Sequence, residues 1–413
     1  TGEVMAEAPR CTPEEVNAAV AAAKAAYPAW RDTPLPERVQ VMFRLKTKLD
    51  ENLHDLSVLL ATEMGKTYNE ARGDVLKAIE VVELACALPV TMQGDSLMNV
   101  STGYDTVSYR EPLGVFVGIA PWNVPAMIPM GWMTPLALTT GNTYVLKPSE
   151  RDPSSALRLA ELFSEAGLPD GVFNVVHGDK EAVDRLLVHP DVDAITFVGS
   201  TPVAAHIHRT GTEHNKRVQA LGGAKNHAVV MPDADLDQAV DALIGAAYGS
   251  AGERCMAISV AVAVGEIGDA LVDRMGSMAE SLKIGNGMDR GNEMGPLITR
   301  QHHERVHGYI DTGVEEGAEL VVDGRAFRPE EGCEDGFFLG ATLFDHVTPE
   351  MKIYRDEIFG PVLVVVRVQT FDEAVQLIND NDYANGTAVF TRDGDAARTF
   401  ANRIEVGMVG INV

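Results

Sequence analysis

The sequence predicts an α/β protein with two sheets, on the strength of two repeated patterns and one break between them. From about residue 114 onward, short apolar runs alternate with amphipathic helical segments. Such alternation indicates parallel strands covered by helices on both faces. A break near Gly222–Asn226 separates a first series from a second. The 413 residues are enough for more than one domain, so we expect two α/β units.

The predicted elements begin with helices and continue as strand–helix pairs. Thr12-Pro-Glu-Glu15 has a Thr N-cap, a proline and first-turn acids, which indicate a helix start. Periodicity predicts helices at 14–30, 36–63 and 68–87, and a strand exposed on one face at 105–111. The first series is predicted as strands at 114–120, 143–146, 172–176 and 194–198, with helices at 125–137, 154–166, 180–189 and 202–211. The second is predicted as strands at 227–231, 259–264, 361–368 and 387–390, with helices at 236–248, 269–281 and 371–379.

Charge and cysteine usage argue against several classes of protein. The net charge of −26, from 60 acidic and 34 basic residues, repels phosphate backbones and anionic membranes. Nucleic-acid and membrane partners are therefore not expected. The four cysteines lack disulfide or zinc-site spacing, and the sequence shows neither a signal peptide nor a membrane-spanning run. We expect a cytoplasmic protein, and we expect both chain ends to be cuts from something longer.

The stretch 245–259 leads through small residues to Cys255, which Arg254 directly precedes. Small residues let backbone segments approach closely, which allows backbone N–H groups to point at whatever the thiol attacks. A buried cysteine that acts as a small apolar side chain is the commoner case for a single free cysteine. Taken alone, the stretch leaves both interpretations open.

Two loops that follow strands of the first series are candidate contacts for a nucleotide. No GxGxxG follows a predicted strand, so the usual dinucleotide fingerprint is missing. Gly199 and Ser200 instead join a strand to a helix N-terminus, which favours anions. Lys147 and Glu150 follow another strand, at the edge where open sheets bind ligands. An ordinary turn and a solvated charged loop are the alternatives for the two segments.

Asn123 ends a further strand of the first series, where its amide is suited to donate to an oxyanion. An ordinary turn asparagine is the alternative. His303 and His307 stand four apart on a predicted helix, and His206 and His208 lie in another. Because no third ligand has suitable spacing, we predict no metal site.

Six segments of the chain stand in a characteristic order. They are Ala120–Asn123, Lys147–Glu150, Phe197–Ser200, Leu221–Gly223, Gly252–Cys255 and Glu357–Pro361. In order and spacing they resemble the aldehyde dehydrogenase superfamily, and the resemblance covers nearly the whole chain. The superfamily's N-terminal strands and C-terminal segment are missing from the match. Within it, 218–227, 252–259 and 405–412 resemble the CoA-acylating methylmalonate-semialdehyde dehydrogenases.

The resemblance implies an aldehyde dehydrogenase-like fold with three parts. A Rossmann-like NAD-binding domain is expected at 1–99 and 114–224, and an α/β catalytic domain at 225–413. Strands at 100–113 are expected to form a small bridging element used in oligomerisation. A homodimer or homotetramer is the expected assembly.

The resemblance also implies a role for each candidate residue. Cys255 is expected to be the nucleophile that forms a thiohemiacetal with an aldehyde, and hydride transfer to NAD leaves a thioacyl-enzyme. Asn123 and the backbone N–H of Cys255 are expected to form the oxyanion hole. The expected NAD contacts are Lys147 and Glu150 at the adenosine ribose, Gly199 and Ser200 at the pyrophosphate, Glu357 and Phe359 at the nicotinamide ribose, and Trp122 and Leu221. Glu150 favours NAD over NADP because its carboxylate repels a 2′-phosphate.

One departure from the superfamily concerns the release of the acyl group. Hydrolytic members have Glu-Leu-Gly-Gly, whose glutamate activates water, whereas this chain has Ala220 at that position. A positioned general base is worth about 10²–10⁴-fold in rate, so deacylation by water is expected to be slow. A thiol needs less help because thiolates are strong nucleophiles. We therefore predict coenzyme A as the co-substrate.

The expected substrate is a carboxylated semialdehyde such as methylmalonate or malonate semialdehyde, oxidised with loss of CO₂. Arg254 and Lys77 are the expected contacts of its carboxylate. The methylmalonate-semialdehyde branch usually has arginine where Lys77 stands and Pro-Phe-Asn where this chain has Pro121-Trp-Asn123. Lysine does not form arginine's planar bidentate pair, so the identity of the aldehyde stays open. A hydrolytic aldehyde dehydrogenase and a non-catalytic dinucleotide-binding protein are the alternatives.

Overall fold

The computed structural model describes residues 3–413 and divides the chain into two compact units. The N-terminal unit comprises Val4–Met64 and Ala71–Gly222. The C-terminal unit comprises Gly65–Glu70 and Gly223–Val413, together with Glu3. Thr1 and Gly2, with which the predicted NAD-binding domain begins, lie outside the described residues. Within 3–413, no helix is long and apolar enough to cross a membrane.

The part of the chain before Gly223 alternates helices and strands. The helices are α1 (Pro13–Asp32), α2 (Leu35–Glu51), α3 (Leu53–Met64), α4 (Tyr68–Cys86), α5 (Leu88–Thr91), α6 (Thr134–Thr139), α7 (Ser154–Glu165), α8 (Lys180–Val188) and α9 (Thr201–Glu213), with a π-helix at Met127–Met133. The strands are β1 (Ser96–Ser101), β2 (Tyr104–Val107), β3 (Val115–Ile119), β4 (Thr143–Lys147), β5 (Phe173–Val175), β6 (Ala194–Val198) and β7 (Arg217–Leu221). The Thr12 N-cap predicted at the start of α1 is present, and Thr12 also forms a capping box with Glu15.

A five-stranded parallel sheet in the order β5-β4-β3-β6-β7 forms the centre of the N-terminal unit. Counted from β3, this is the order 3-2-1-4-5 of a Rossmann-type doubly wound sheet. The chain leaves β3 toward one side of the sheet and leaves β6 toward the other. Open sheets of this kind bind ligands at such a switch point, outside the carboxyl ends of the strands.

The strands β1 and β2 form a separate two-stranded antiparallel sheet. All residues of both strands are exposed, including the apolar side chains of Leu97, Met98 and Val107. The expected strand at 105–111 begins earlier, at Tyr104, and ends at Val107. Its partner β1 was not predicted, because Asn99 takes a left-handed φ of 52° and interrupts the register.

The part of the chain from Gly223 onward forms the second α/β series. Its helices are α10 (Leu236–Tyr248), α11 (Gly268–Ser281), α12 (Arg300–Glu315), α13 (Lys352–Arg355), α14 (Phe371–Asn379) and α15 (Gly394–Arg403). Its strands are β8 (Asn226–Val230), β9 (Ile258–Val264), β10 (Glu319–Val322), β11 (Thr342–Asp345), β12 (Val362–Val368), β13 (Gly386–Phe390) and β14 (Met408–Ile411).

The sheet of the C-terminal unit has the order β10-β11-β12-β9-β8-β13-β14, with only the β10–β11 pair antiparallel. The interior strand β12 is buried from Val362 to Val366, which explains its continuous apolar run. Helices α10 and α11 pack against this sheet and share one core with it. The predicted α/β class with parallel sheets is confirmed.

Several predicted elements differ from the structure in detail. The single helix expected at 36–63 is divided at Asn52 into α2 and α3. The helix expected at 125–137 starts as a π-helix at Met127 and ends at Thr139. Strand β7 was not predicted, because it is an edge strand whose residues are exposed or half-buried, so its apolar signal is weak.

Candidate active site

The loop that carries Cys255 connects α10 to β9 and lies at the amino end of the C-terminal unit's central strands. Three consecutive residues in it have left-handed backbone: Ser250 (φ 50°), Ala251 (φ 52°) and Gly252 (φ 72°). For a non-glycine residue this conformation costs roughly 1–2 kcal/mol. The loop therefore needs contacts from outside to hold its shape.

Glu70 supplies one of these contacts. Its Oε1 accepts a hydrogen bond from the Ser250 N–H. Its Oε2 accepts from the N–H and hydroxyl of Thr67, at 3.0 and 2.9 Å, and the Glu70 N–H donates back to Thr67 Oγ1 at 3.3 Å. One carboxylate thus completes a capping box at the start of α4 and anchors the strained loop. Sequence analysis missed Glu70, although Thr67-x-x-Glu70 is a readable capping-box pattern.

Two asparagine amides fix the backbone of Cys255 itself. Asn226 Nδ2 donates to the carbonyl oxygens of Cys255 and Ala257, both at 2.9 Å, and Asn385 Nδ2 donates to the Cys255 carbonyl at 3.0 Å. Asn226 Oδ1 accepts the Gly386 N–H at 3.0 Å. The carbonyl of Cys255 is therefore held by side chains from the start of β8 and from just before β13.

The Cys255 thiol is partly buried, and its surroundings disfavour the negatively charged thiolate. Burial raises the pKa of the thiol above its ordinary value, and the Glu357 carboxylate raises it further. The backbone N–H groups of Cys255 and Met256 and the Arg254 guanidinium act in the opposite direction but do not prevail. The free protein therefore holds mostly a protonated thiol at neutral pH.

A small, narrow pocket brings four of the predicted site residues together. Cys255, Arg254, Glu357 and Phe359 all line it, and Asn226 does so too. The pocket combines a thiol, a guanidinium and a carboxylate with an aromatic ring. That set suits a small anionic substrate beside a nucleophile.

Backbone contacts orient Glu357. Its Oε1 accepts the Ala224 N–H at 2.8 Å. Burial raises the pKa of Glu357, while the Ala224 N–H, Arg305 and Lys225 oppose the shift. The neighbouring Phe359 has a left-handed φ of 61°. The carboxylate thus sits on a strained turn that other residues must hold.

Lys225 is a fully enclosed cation close to this turn. Its Nζ donates to the carbonyl oxygens of Ile353 and Asp356 at 2.8 and 2.7 Å. Burial lowers the pKa of Lys225 to about 7, although Glu357 and Asp356 act to raise it. Lys225 therefore ties the residues before Glu357 to the start of β8. Sequence analysis did not single it out.

Arg254 and Lys77 were the predicted contacts of a substrate carboxylate. Arg254 lines the pocket, but its guanidinium donates to the Gly245 carbonyl in the last turn of α10. Lys77 is exposed on α4 in the N-terminal unit, and its Nζ pairs with Glu80 at 2.7 Å. In this structure both side chains are engaged with groups of the chain itself.

The remaining predicted contacts belong to the N-terminal unit and gather at the carboxyl edge of its sheet. Asn123 is buried just after β3, and Trp122 lies beside it under the Arg151 guanidinium, 6.0 Å from the ring centre. Ser200 is the N-cap of α9, directly after β6. The Gly199 N–H donates to the carbonyl of Leu221, at the end of β7, at 3.0 Å. Asn123 and Ser200 therefore flank the switch point between β3 and β6.

Lys147 and Glu150 interact directly at the end of β4. Lys147 Nζ is buried and donates to the Gly178 carbonyl at 3.0 Å and to Glu150 Oε2 at 3.2 Å. Burial acts to raise the pKa of Glu150, but backbone hydrogen bonding and the Lys147 and Arg151 cations lower it overall. Glu150 is therefore ionised at neutral pH, as a partner of ribose hydroxyls needs to be.

One group of possible metal ligands lies outside the predicted sites. Glu319, Asp345 and His346 bring ligand atoms within 4.8 Å of one another. Both oxygens of Asp345 already accept from the Arg367 guanidinium, at 3.1 and 2.6 Å. Glu319 and His346 are exposed. The group is an ion-paired surface cluster and gives no reason to place a metal there.

Comparison with known proteins gives concordant matches. The model of the aldehyde dehydrogenase family matches residues 1–413. A malonate-semialdehyde dehydrogenase of Pseudomonas aeruginosa is 58% identical, over 100% of this chain and 83% of that protein. The structure of a methylmalonate-semialdehyde dehydrogenase from Oceanimonas doudoroffii matches with a TM-score of 0.97 at 54% identity, over 100% of this chain and 84% of that one.

A third similar protein has been solved with a cofactor. It comes from Sinorhizobium meliloti 1021, is assigned as a methylmalonate-semialdehyde dehydrogenase, and is complexed with NAD. It matches with a TM-score of 0.96 at 51% identity, over 98% of this chain and 82% of that one. The predicted resemblance and the predicted aldehyde dehydrogenase-like fold are confirmed.

Replacing Glu70 by alanine is expected to reduce turnover as well as stability. Loss of the Ser250 anchor releases the strained loop, and we expect kcat to fall about tenfold because reacting groups tolerate little misplacement. Thr67→Ala is the matched control, since it weakens the helix cap, worth about 1 kcal/mol, but keeps the Ser250 contact. Urea unfolding and steady-state NADH formation measure the two effects. Equal kcat losses in both variants would contradict an anchoring role for Glu70.

The rate of Cys255 alkylation by iodoacetamide is expected to keep rising with pH above about 8.5, because the pKa of this thiol lies above the ordinary thiol value of about 8.5. A raised pKa means a smaller thiolate fraction at any given pH. Glu357→Gln removes a negative charge near the thiol. Its removal stabilises the thiolate, so the pH profile of alkylation should move to lower pH. Peptide mass spectrometry of Cys255 follows the reaction. A wild-type rate that levels off by pH 7 would show that the thiol is not masked by burial.

Proposed function

Because the chain belongs to the aldehyde dehydrogenase family of oxidoreductases, we propose that it oxidises a carboxylated semialdehyde with NAD and transfers the acyl group to coenzyme A. The observation that carries this proposal is the pocket shared by Cys255, Arg254 and Glu357, combined with Ala220 in place of a glutamate. The similar proteins named malonate- and methylmalonate-semialdehyde dehydrogenases support the choice of substrate class.

The N-terminal unit has the features that an NAD site requires. Its strand order is of the Rossmann type, and Ser200 opens α9 at the switch point, where N–H groups favour a pyrophosphate. Lys147 and Glu150 would hold the adenosine ribose, with Gly199, Leu221 and Trp122 beside the cofactor. The similar protein solved with NAD supports this choice of cofactor. When bound, NAD supplies the acceptor for the hydride.

Cys255 would begin the reaction as its thiolate, formed when the thiol loses its proton to solvent, and would attack the aldehyde carbon, which forms a sulfur–carbon bond and places negative charge on oxygen. The Asn123 amide and the Cys255 N–H would stabilise that oxyanion. Arg254 would pair with the substrate carboxylate, exchanging the Gly245 carbonyl for a stronger charged acceptor. Glu357 would accept from the nicotinamide ribose, with Phe359 packed beside it. Departure of the hydride leaves a thioester on Cys255.

The substrate carboxylate would then leave as CO₂. In the thioester derived from malonate or methylmalonate semialdehyde, the carboxylate stands β to the thioester carbonyl. Cleavage of that carbon–carbon bond moves the electron pair into the carbonyl as an enolate, which a proton converts to an acetyl or propionyl thioester. Attack by the coenzyme A thiolate then frees Cys255 and gives acetyl-CoA or propionyl-CoA.

The choice of coenzyme A as acyl acceptor rests on the absence of a general-base carboxylate at position 220. Ala220 lies on β7 opposite Phe197 of β6, and its methyl group packs on the apolar cluster beneath the sheet. It offers no base for a water molecule. The alternative function is hydrolysis with another base, and Glu357 is the carboxylate that lines the Cys255 pocket. Only its Oε1 accepts the Ala224 N–H, and binding of the nicotinamide ribose by this carboxylate, as proposed above, would compete with that role.

We also propose that the β1–β2 sheet mediates a homodimer or homotetramer. Exposed apolar side chains are concentrated there, with Leu97, Met98, Val100, Tyr104 and Val107 each at least half exposed. Contiguous apolar surface of this kind marks interaction sites. A second copy of the chain is the partner that the family resemblance implies.

Coenzyme A dependence tests the proposed function. With malonate or methylmalonate semialdehyde and NAD alone, we expect a burst of about one NADH per enzyme followed by slow turnover, since no base activates water. Addition of coenzyme A should restore fast turnover, followed by NADH absorbance in stopped flow. Equal steady-state rates with and without coenzyme A would favour the hydrolytic alternative.

Replacing Ala220 by glutamate is expected to introduce hydrolysis. NADH formation without coenzyme A should rise at least about tenfold, the lower part of what a general base supplies. Ala220→Gln has the same shape without a base and is the matched control. Acid product measured by chromatography gives the second readout. If the two variants behave alike, position 220 does not decide the acyl acceptor.

A further inference from the structure

A cluster of buried polar groups in the C-terminal unit has no part in the chemistry proposed above. It consists of Glu253, His302 and the backbone carbonyl of Phe359. Glu253 is completely buried, and His302 is 8% exposed. Glu253 stands two residues before Cys255, His302 lies on α12, and Phe359 stands two residues after Glu357. The cluster therefore joins the segment of the nucleophile to the segment of the ribose-binding carboxylate.

The contacts of His302 determine how its ring is used. Its Nε2 lies 2.6 Å from the Phe359 carbonyl oxygen and 3.5 Å from Glu253 Oε1. Both of these oxygens are acceptors, so Nε2 carries the proton and faces both. Glu253 Oε1 also accepts the Ile298 N–H at 3.2 Å. The ring stands edge-on to the Phe359 ring, with centroids 6.3 Å apart.

Helix α12 holds the turn around Glu357 at further points. Arg305 lies three residues after His302 on the same helix. Its guanidinium donates to the carbonyls of Ile358 at 3.2 Å and Glu357 at 2.8 Å. Three consecutive carbonyls of a strained turn are thus bound by two side chains of one helix. Since Phe359 has φ of 61°, the turn depends on such outside contacts.

The loop of Cys255 and the turn of Glu357 are closely packed against each other. A Cβ on Gly252 would lie 2.1 Å from the Gly360 carbonyl oxygen, and a Cβ on Gly360 would lie 2.6 Å from Val306 Cγ1. The loop of Cys255, the turn of Glu357 and α12 are therefore stacked in direct contact. In such an arrangement the hydrogen bonds of one bridging side chain fix how the two loops are aligned.

We propose that His302 is a positioning residue that sets the alignment of Cys255 with Glu357, by bridging the Phe359 carbonyl and the Glu253 carboxylate. This inference rests on the roles proposed for Cys255 and Glu357. Through these two residues His302 fixes the thiol, and the aldehyde carbon bound to it, against the nicotinamide ring. Displacement of reacting atoms by 1 Å can cost about 10²-fold in rate, so loss of the bridge slows hydride transfer.

The chain supplies a matched control in His303. This residue is the next on α12, is half-buried, and its ring Nε2 contacts a backbone carbonyl, that of Phe338, at 3.0 Å. His303→Ala therefore removes a comparable hydrogen bond that does not reach either loop. A merely structural role for His302 predicts similar behaviour of the two alanine variants.

The test measures NADH formation and NAD binding by the protein with NAD, malonate semialdehyde and coenzyme A. We expect His302→Ala to lower single-turnover hydride transfer at least about tenfold and to raise the KM for NAD, while His303→Ala stays within about twofold. His302→Gln keeps a donor N–H and should recover most of the lost rate. Iodoacetamide labelling of Cys255, with and without NAD, reports the loop without requiring turnover.

Glu253→Gln keeps an acceptor oxygen but removes the charge, and it completes a double-mutant cycle with His302→Ala. If the bridge is real, the double variant loses no more rate than the worse single variant. Should His302→Ala fail to fold by circular dichroism, His302→Leu, which keeps much of the ring's bulk but offers no donor, takes its place in the cycle. Equal effects of His302→Ala and His303→Ala, or strictly additive effects in the cycle, would overturn the proposal. A lack of coenzyme A dependence in the wild type would instead refute the proposed function and leave this contrast readable.

Discussion

The left-handed backbone at Ser250, Ala251 and Gly252 is the constraint on which the candidate site depends. It turns the chain sharply between the end of α10 and the start of β9. Such strain persists only where surrounding contacts over-determine it. Here Glu70 binds the Ser250 N–H, and the Gly360 carbonyl fills the space beside Gly252. Asn226 and Asn385 then fix the carbonyl of Cys255. The thiol is placed by its backbone more than by its own side-chain contacts.

The two sheets present their candidate residues at opposite strand ends. In the N-terminal unit, Asn123, Lys147 and Ser200 follow the carboxyl ends of strands, as expected for a Rossmann-type sheet. In the C-terminal unit, Cys255 and Glu357 precede the amino ends of β9 and β12. The proposed nucleotide contacts and the proposed nucleophile thus belong to different sheets. Each set of residues lies in the loops at one end of its own sheet, and the two sets share no common sequence motif.

Much of the fold and part of the site could be predicted from local sequence. Buried parallel strands such as β12 contain continuous apolar runs, and the start of α1 carries its full capping pattern. Cys255, Arg254 and Glu357 share one pocket, as the motif order implied. Strand β1 escaped prediction because it is exposed on both faces and irregular at Asn99. Lys225 and His302 escaped because their partners are distant in sequence, which no periodicity records. For Glu70 only the capping box with Thr67 is readable locally, whereas its contact with Ser250 is not.

The central claim is that Cys255 carries the acyl group until a thiol removes it. Incubation with malonate semialdehyde and NAD, followed by acid quenching and peptide mass spectrometry, shows this species directly. We predict one acetyl group per chain on the Cys255 peptide without coenzyme A, and its disappearance within one turnover once coenzyme A is added. An unmodified Cys255 peptide accompanied by NADH formation would contradict the account.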